Sequence, residues 1–234
     1  MPTIGIAGVT IPGAVDCIQK INQFSSSYFP PAVHPHIVLV QPNFAPMKKA
    51  LLNEEWDVIL SELFQTIEKL AYMGADFAII PANSVHKVIS DLQKKSPIPV
   101  INLLEVAAEE CRRLNLKKVG ILGTTWTMSG HLYGEVLRKN RIEEWIPSET
   151  DQKIIQDAIL SELVPNGKTK RSTFKALLQM IETSKLQGCD GIALACTELP
   201  LALNAENCRI TVIDTTLVLA KAALEKSAAH PLTI

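Results

Sequence analysis

The sequence predicts an α/β protein of two similar lobes, each a parallel sheet flanked by helices, related by a pseudo-twofold with a ligand cleft between them. Two observations lead there. Short runs rich in Ile and Val alternate with longer amphipathic stretches, the pattern of strands covered on both faces by helices. The pattern is also written twice, since Ile4-Gly-Ile-Ala-Gly-Val-Thr10 returns as Val119-Gly-Ile-Leu-Gly-Thr-Thr125 at an offset of 115 residues.

In chain order, the apolar runs predict strands at Ile4–Val9, His36–Gln41, Phe77–Pro81, Val100–Leu103, Lys118–Gly123, Gly191–Cys196 and Ile210–Ile213. Helical spacing of apolar residues predicts helices at Trp56–Tyr72, Val106–Leu114, Ser172–Leu186 and Leu217–Lys226. The repeat continues through these elements. Gly74-Ala-Asp76 corresponds to Gly188-Cys-Asp190 at an offset of 114, and Pro81-Ala-Asn-Ser84 to Ala195-Cys-Thr-Glu198 at the same offset. Pro99-Val-Ile-Asn102 and Thr211-Val-Ile-Asp214 follow at 112. The expected division is residues 1–100 plus 210–234 for the first lobe and 101–209 for the second.

The chain of 234 residues is long enough to bury a core in either arrangement. A formal net charge of −1 gives no support to nucleic acid or an anionic membrane surface as a partner. The basic stretch Lys168-Thr-Lys-Arg171 reads as solvated surface. No apolar run reaches membrane-spanning length, and the N-terminus reads as a first strand, not a signal peptide. Five cysteines form an odd set without CxxC or metal-ligand spacing, so reduced thiols, a cytoplasmic location and no metal are expected. The histidines are scattered, and neither Gly5-x-x-Gly8 nor Gly120-x-x-Gly123 completes a phosphate-binding fingerprint.

Ligands of α/β sheets gather beyond the carboxyl ends of the strands, which points to residues 8–10, 82–86, 123–127 and 196–198. Cys196 ends an apolar strand. A cysteine after Ile-Ala-Leu-Ala is ordinarily a small core residue. At a strand-to-helix junction, however, free backbone N–H groups favour a thiolate and are expected to lower the thiol pKa, which suits acid–base work. Cys17, Cys111, Cys189 and Cys208 are assigned to the core. Asn83, Ser84, Thr124, Thr125, Thr127 and Thr197 offer neutral donors at the same strand ends, either as helix caps or as a carboxylate cradle. His86 is a cap, an ordering residue or a proton donor. Trp126 and Met128 are cleft wall or core, and Lys48 is solvated surface or a contact for a distal carboxylate.

These segments resemble the cofactor-independent aspartate/glutamate racemases. Gly188-Cys-Asp-Gly-Ile-Ala-Leu-Ala-Cys-Thr-Glu-Leu-Pro200 is similar to that superfamily's Gly-Ala-Asp…Gly-Cys-Thr-Glu-Leu/Ile-Pro signature. Ile80-Pro-Ala-Asn-Ser-Val-His86 resembles its first-lobe segment, Gly120-Ile-Leu-Gly-Thr-Thr-Trp-Thr-Met-Ser-Gly130 its substrate loop, and Asp214-Thr-Thr216 its closing motif. The resemblance implies racemisation of a small carboxylate or amino-acid substrate, aspartate or glutamate, without pyridoxal or any other cofactor, in a protein that is often a homodimer. It implies Cys196 as one acid/base and Asn83, Ser84, Thr124 and Thr197 as carboxylate ligands. Glu198 would orient the thiol or the amino group; Thr10, Thr125, Thr127 and Lys48 are further candidate substrate contacts from the residues themselves, not from the resemblance.

The chain departs from the pattern. Ala82 stands where the two-thiol members have their first cysteine, and alanine cannot carry a proton. Ala7-Gly-Val-Thr10 replaces Gly-Gly-Met, Thr125 replaces an arginine of some members, and Leu219 replaces a histidine. A single thiol also suits a decarboxylase or cis–trans isomerase of the same superfamily. A catalytically impaired amino-acid-binding protein is the reading from outside enzymology.

Overall fold

The computed structural model describes residues 1–229. The chain divides into two compact units, Met1–Leu103 joined by the stretch from Thr216 onward, and Leu104–Thr215.

The first unit runs β1 (Ile4–Ala7), α1 (Ile11–Phe24), β2 (Ile37–Val40), α2 (Phe44–Leu52), α3 (Trp56–Tyr72), β3 (Phe77–Ile79) and α4 (Ile89–Lys95), with a 3-10 turn at Ser84–Val88. Its sheet is parallel in the order β2-β1-β3, with Ile4 opposite both Ile37 and Phe77. A single parallel bridge from Ala78 to Val100 extends it. Ile4, Ile6, Phe77 and Ile79 are fully buried. On α3 the buried set Ile59, Leu63, Thr66, Ile67 and Leu70 forms one helical stripe, so this helix covers the sheet while its other face meets solvent.

The second unit runs α5 (Leu103–Arg113), β4 (Lys118–Gly123), α6 (Thr125–Met128), α7 (Gly134–Lys139), β5 (Glu143–Trp145) and α8 (Glu149–Asp157). A π-turned stretch, Ala158–Leu163, leads into α9 (Val164–Asn166), followed by α10 (Arg171–Leu186), β6 (Gly191–Ala195), α11 (Ala205–Cys208) and β7 (Thr211–Asp214). The last helix, α12 (Thr215–Ala228), enters the first unit at Thr216. The second sheet is parallel in the order β5-β4-β6-β7.

Within each unit the repeat has the same meaning. β1 and β4 lie inside their sheets, β2 and β5 flank them on one side, and β3 and β6 on the other. The Val100 bridge occupies the place that β7 fills in the second sheet.

The Gly-x-Asp repeat has a local cause. Gly74 and Gly188 adopt φ +88 and φ +84, the left-handed region that ends a helix and that residues with a Cβ avoid. Nothing lies within 4 Å of an added Cβ at either, so backbone conformation, not space, selects glycine. The chain then turns so that the Asp76 carboxylate accepts from Thr3 N–H at 2.6 Å, and Asp190 from Lys117 and Lys118 N–H at 2.8 and 3.0 Å. Each aspartate ties the start of its own strand to the start of the inner strand.

Two expectations are corrected. Val100–Leu103 is not a strand, because only Val100 bridges to the sheet and Leu103 already opens α5. The division at 101 and 210 moves to 104 and 216, because β7 pairs with β6 from Gly191↔Thr211 to Leu194↔Asp214 and therefore belongs to the second sheet. Of the expected first-lobe range, residues 230–234 lie outside the described residues. Among the described residues, no helix is long and apolar enough to cross a membrane.

Candidate functional site

β6 is buried along its whole length, as a strand covered on both faces must be. Its end delivers Cys196, Thr197 and Glu198 ahead of a 3-10 turn at Leu199–Leu201. The Cys196 thiol donates to Glu198 Oε2 at 2.9 Å, and the Thr197 hydroxyl donates to the same oxygen at 2.7 Å. Cys196 is 8% exposed and Glu198 6%, so this carboxylate is held away from bulk water with two donors on one oxygen. Cys196 also packs in a cluster with Leu122, Met128, Ile155 and Leu199.

The electrostatics reverse one expectation. The Cys196 thiol is pushed well above its ordinary range, by burial first and then by the charge and hydrogen bond of Glu198. The backbone N–H groups of Glu198 and Leu199 do favour the thiolate, as the strand-to-helix junction suggested, but they are outweighed. Resting Cys196 is therefore a protonated acid whose S–H points at a carboxylate.

β4 ends beside β6 in the register Gly123↔Ala195, so Thr124 and Cys196 are the first residues beyond the last pair of the two strands. An added Cβ at Gly123 would meet the Ala195 carbonyl oxygen at 2.7 Å, so this close approach requires glycine. Thr124 takes the N-cap position of α6 but makes no capping bond; its hydroxyl lies 3.3 Å from that of Thr127. Thr125 is half-buried, Thr127 is buried, and Met128 is fully buried in the core.

Two glutamines of α8 hold this segment. Gln156 Oε1 accepts from Thr125 N–H at 3.0 Å. Gln152 accepts from the Ser129 hydroxyl at 2.9 Å and donates to the Pro147 carbonyl at 2.9 Å. Sequence reading missed both residues. The available signals were Ser148-x-x-Asp151, a helix-start pattern whose serine accepts from Asp151 N–H at 3.2 Å, and two glutamines four residues apart.

In the first unit, the segment equivalent to Cys196–Glu198 is Ala82–Ser84. Asn83 is buried and takes the N-cap position of the 3-10 turn without a side-chain capping bond, and Ser84 opens the turn. His86 is 1% exposed, and its Nδ1 lies 2.7 Å from the Ala82 carbonyl oxygen. A carbonyl only accepts, so Nδ1 carries the hydrogen and Nε2 is a bare lone pair, buried without a hydrogen-bond partner among the described residues. Burial lowers the imidazole pKa to about 4 against the opposing effect of the Ala82 bond, so His86 is neutral at pH near 7. Thr10 caps α1 by accepting from Gly13 N–H at 3.2 Å. Lys48 is exposed on α2.

A surface cavity of about 510 Å³ lies over α7 and β5, lined by His131, Arg138, Glu143 and Glu144 among others; none of the residues nominated from the sequence lines it. Among the described residues there is no group of three or more His, Cys, Asp or Glu able to hold a metal ion.

With that geometry in place, comparison with known proteins identifies the class. The Asp/Glu/Hydantoin racemase family model matches residues 6–223, and the chain belongs to that family. It is 28% identical over 162 residues to the broad specificity amino-acid racemase RacX of Bacillus subtilis (strain 168), covering 69% of each chain. Its fold is similar to an aspartate racemase homologue from Pyrococcus horikoshii OT3 (TM-score 0.83, 26% identity, 97% of this chain and 99% of that one). It is also similar to the aspartate racemase of Picrophilus torridus (TM-score 0.79, 25% identity, 100% and 96%). The α/β fold with two helix-flanked parallel sheets is that of solved racemases.

Proposed function

We propose that this chain is an amino-acid racemase that works without pyridoxal, with Cys196 as the acid/base on one face of the substrate α-carbon. The supporting observation is the thiol–carboxylate pair, Cys196 S–H on Glu198 Oε2, at the carboxyl end of β6. In the protonating direction the thiol gives its proton to the α-carbanion, and the sulfur is left as a thiolate facing the N–H groups of Glu198 and Leu199. Abstraction is the reverse. A thiol with a raised pKa is ionised in a smaller fraction of molecules but is a stronger base when it is, which suits a proton as weakly acidic as an α C–H.

The α-carbanion spreads charge onto the substrate carboxylate, so donors aimed there lower the barrier. Thr124 and Thr197 are proposed for this role in the second unit. Asn83 and Ser84 are proposed as further ligands, and Thr10, Thr125, Thr127 and Lys48 as weaker contacts. Ala82 has no exchangeable proton, so the two-thiol mechanism is closed to this chain. Aspartate and glutamate are the substrates to test first. The test is deuterium incorporation at the α-carbon in heavy water, followed by NMR and chiral separation. Wash-in with loss of optical purity supports the reading; no wash-in into any amino acid removes it.

A second reading draws on the same protonated thiol. One acid suffices to reprotonate a carbanion left by loss of CO2, so a single-thiol decarboxylase is compatible with Ala82. CO2 release from a substituted malonate, without exchange into amino acids, would select it.

A further inference from the structure

Gln156 has a donor group to which the proposed reaction assigns no role. A carboxamide has one acceptor oxygen and an NH2 with two hydrogens to donate. Thr125 N–H can only donate, so the oxygen of Gln156 must face it and the NH2 must point elsewhere. That NH2 has no hydrogen-bond partner among the described residues, and Gln156 is half-buried, so it reaches accessible space. Gln152, one turn earlier, is by contrast buried with both ends of its carboxamide bonded.

The placement is at the site. Thr125 follows Thr124, and Thr124 and Cys196 are the residues directly after Gly123 and Ala195, the last pair of β4 and β6. Ile155, adjacent to Gln156, is fully buried in the same cluster as Cys196 and Met128. Within 123–128 and 196–198 the one charged side chain is Glu198, an anion already engaged by Cys196 and Thr197. No cation in these segments can read a second carboxylate on the substrate, and Lys48, exposed on α2 with no ion pair among the described residues, is not a fixed one.

We infer that Gln156 is a specificity-determining residue, donating through Nε2 to an acceptor oxygen on the side chain of the amino acid held at Cys196. This rests on the racemase reading and names its substrate class: amino acids bearing a carboxylate or carboxamide on the β or γ carbon. A neutral donor serves either group, whereas a fixed cation would favour the carboxylate. Asparagine and glutamine are therefore processed alongside aspartate and glutamate, and aliphatic amino acids, which leave the donor unmatched, are disfavoured roughly 10–100-fold.

Gln156→Glu is the discriminating variant. Its carboxylate still accepts from Thr125 N–H, so the segment stays in place, while the donor is exchanged for an anionic oxygen. Exchange in heavy water is measured for aspartate, asparagine, glutamate, glutamine, leucine and lysine with the parent and with this variant. The expected result is a KM for aspartate and glutamate raised about 10-fold or more at nearly unchanged kcat, a relative gain for lysine, and little change for leucine. Gln156→Leu, which also loses the Thr125 acceptor, is expected to lower kcat for all substrates together. A parent-like substrate profile in Gln156→Glu, or a uniform loss that includes leucine, overturns the inference while leaving the racemase reading intact. A parent that exchanges no amino acid overturns both.

Discussion

The segments Ala82–His86 and Cys196–Glu198 occupy the same station in two copies of one design, yet differ in what they can do with a proton. In the second unit a thiol donates to a carboxylate, with Sγ 2.9 Å from Oε2. In the first, alanine takes the place of the thiol, and the nearby His86 imidazole bonds back to the Ala82 carbonyl with its pKa lowered to about 4. The scaffolding around both stations is shared, down to the aspartate that clamps each inner strand. Duplication preserved backbone geometry, which needs only small residues, glycine turns and buried strands. A thiol paired with a carboxylate needs particular side chains, and of these two segments only Cys196–Glu198 has them.

The sharpest way to break that contrast is Cys196→Ser. Exchange is expected to fall by on the order of 1000-fold or more with the fold retained, because a serine hydroxyl is far too weak an acid to replace the thiol. Activity near the parent level would move the chemistry elsewhere. Glu198→Gln should slow exchange on the order of 100-fold. It also removes the charge that holds the thiol up, so the half-point for alkylation of Cys196 should move to lower pH, with burial still keeping it above an exposed thiol. An unmoved alkylation profile would separate Glu198 from the sulfur.

His86 sharpens the first-unit side. The unfolded chain protonates this imidazole near pH 6.5, while the folded chain resists until about 4. Unfolding thus takes up a proton between those values, and stability falls as pH drops through the window, by about 2 kcal/mol at about pH 5. Urea midpoints measured at about pH 7.5 and about pH 5 should diverge in the parent and converge in His86→Gln. An equal divergence in both proteins would mean that the ring is not buried in its neutral form. Asp190→Ala and Asp76→Ala give the smallest effects. Asp190 holds two backbone N–H groups and Asp76 one, so losses of about 1–2 and about 0.5–1 kcal/mol are expected, read from chemical denaturation. The reverse order would show that the number of backbone N–H groups held does not set the strength of each clamp.

The sequence by itself determined the α/β class, the duplicated plan, the limits of α3 and the nomination of Cys196. Each is written in short-range pattern: apolar period, glycine before aspartate, and a strand running into polar residues. Tertiary structure alone decided which sheet β7 joins, because Ile210–Ile213 is an equally good apolar run for either and only pairing with Gly191–Leu194 settles it. It also decided the direction of the Cys196 pKa, since the balance of burial, Glu198 and two N–H groups depends on distances that no spacing encodes. The role of Gln156 was out of reach for the same reason: its partner Thr125 lies 31 residues away, and a hydrogen bond of that separation exists only once helix α8 is laid against the end of β4.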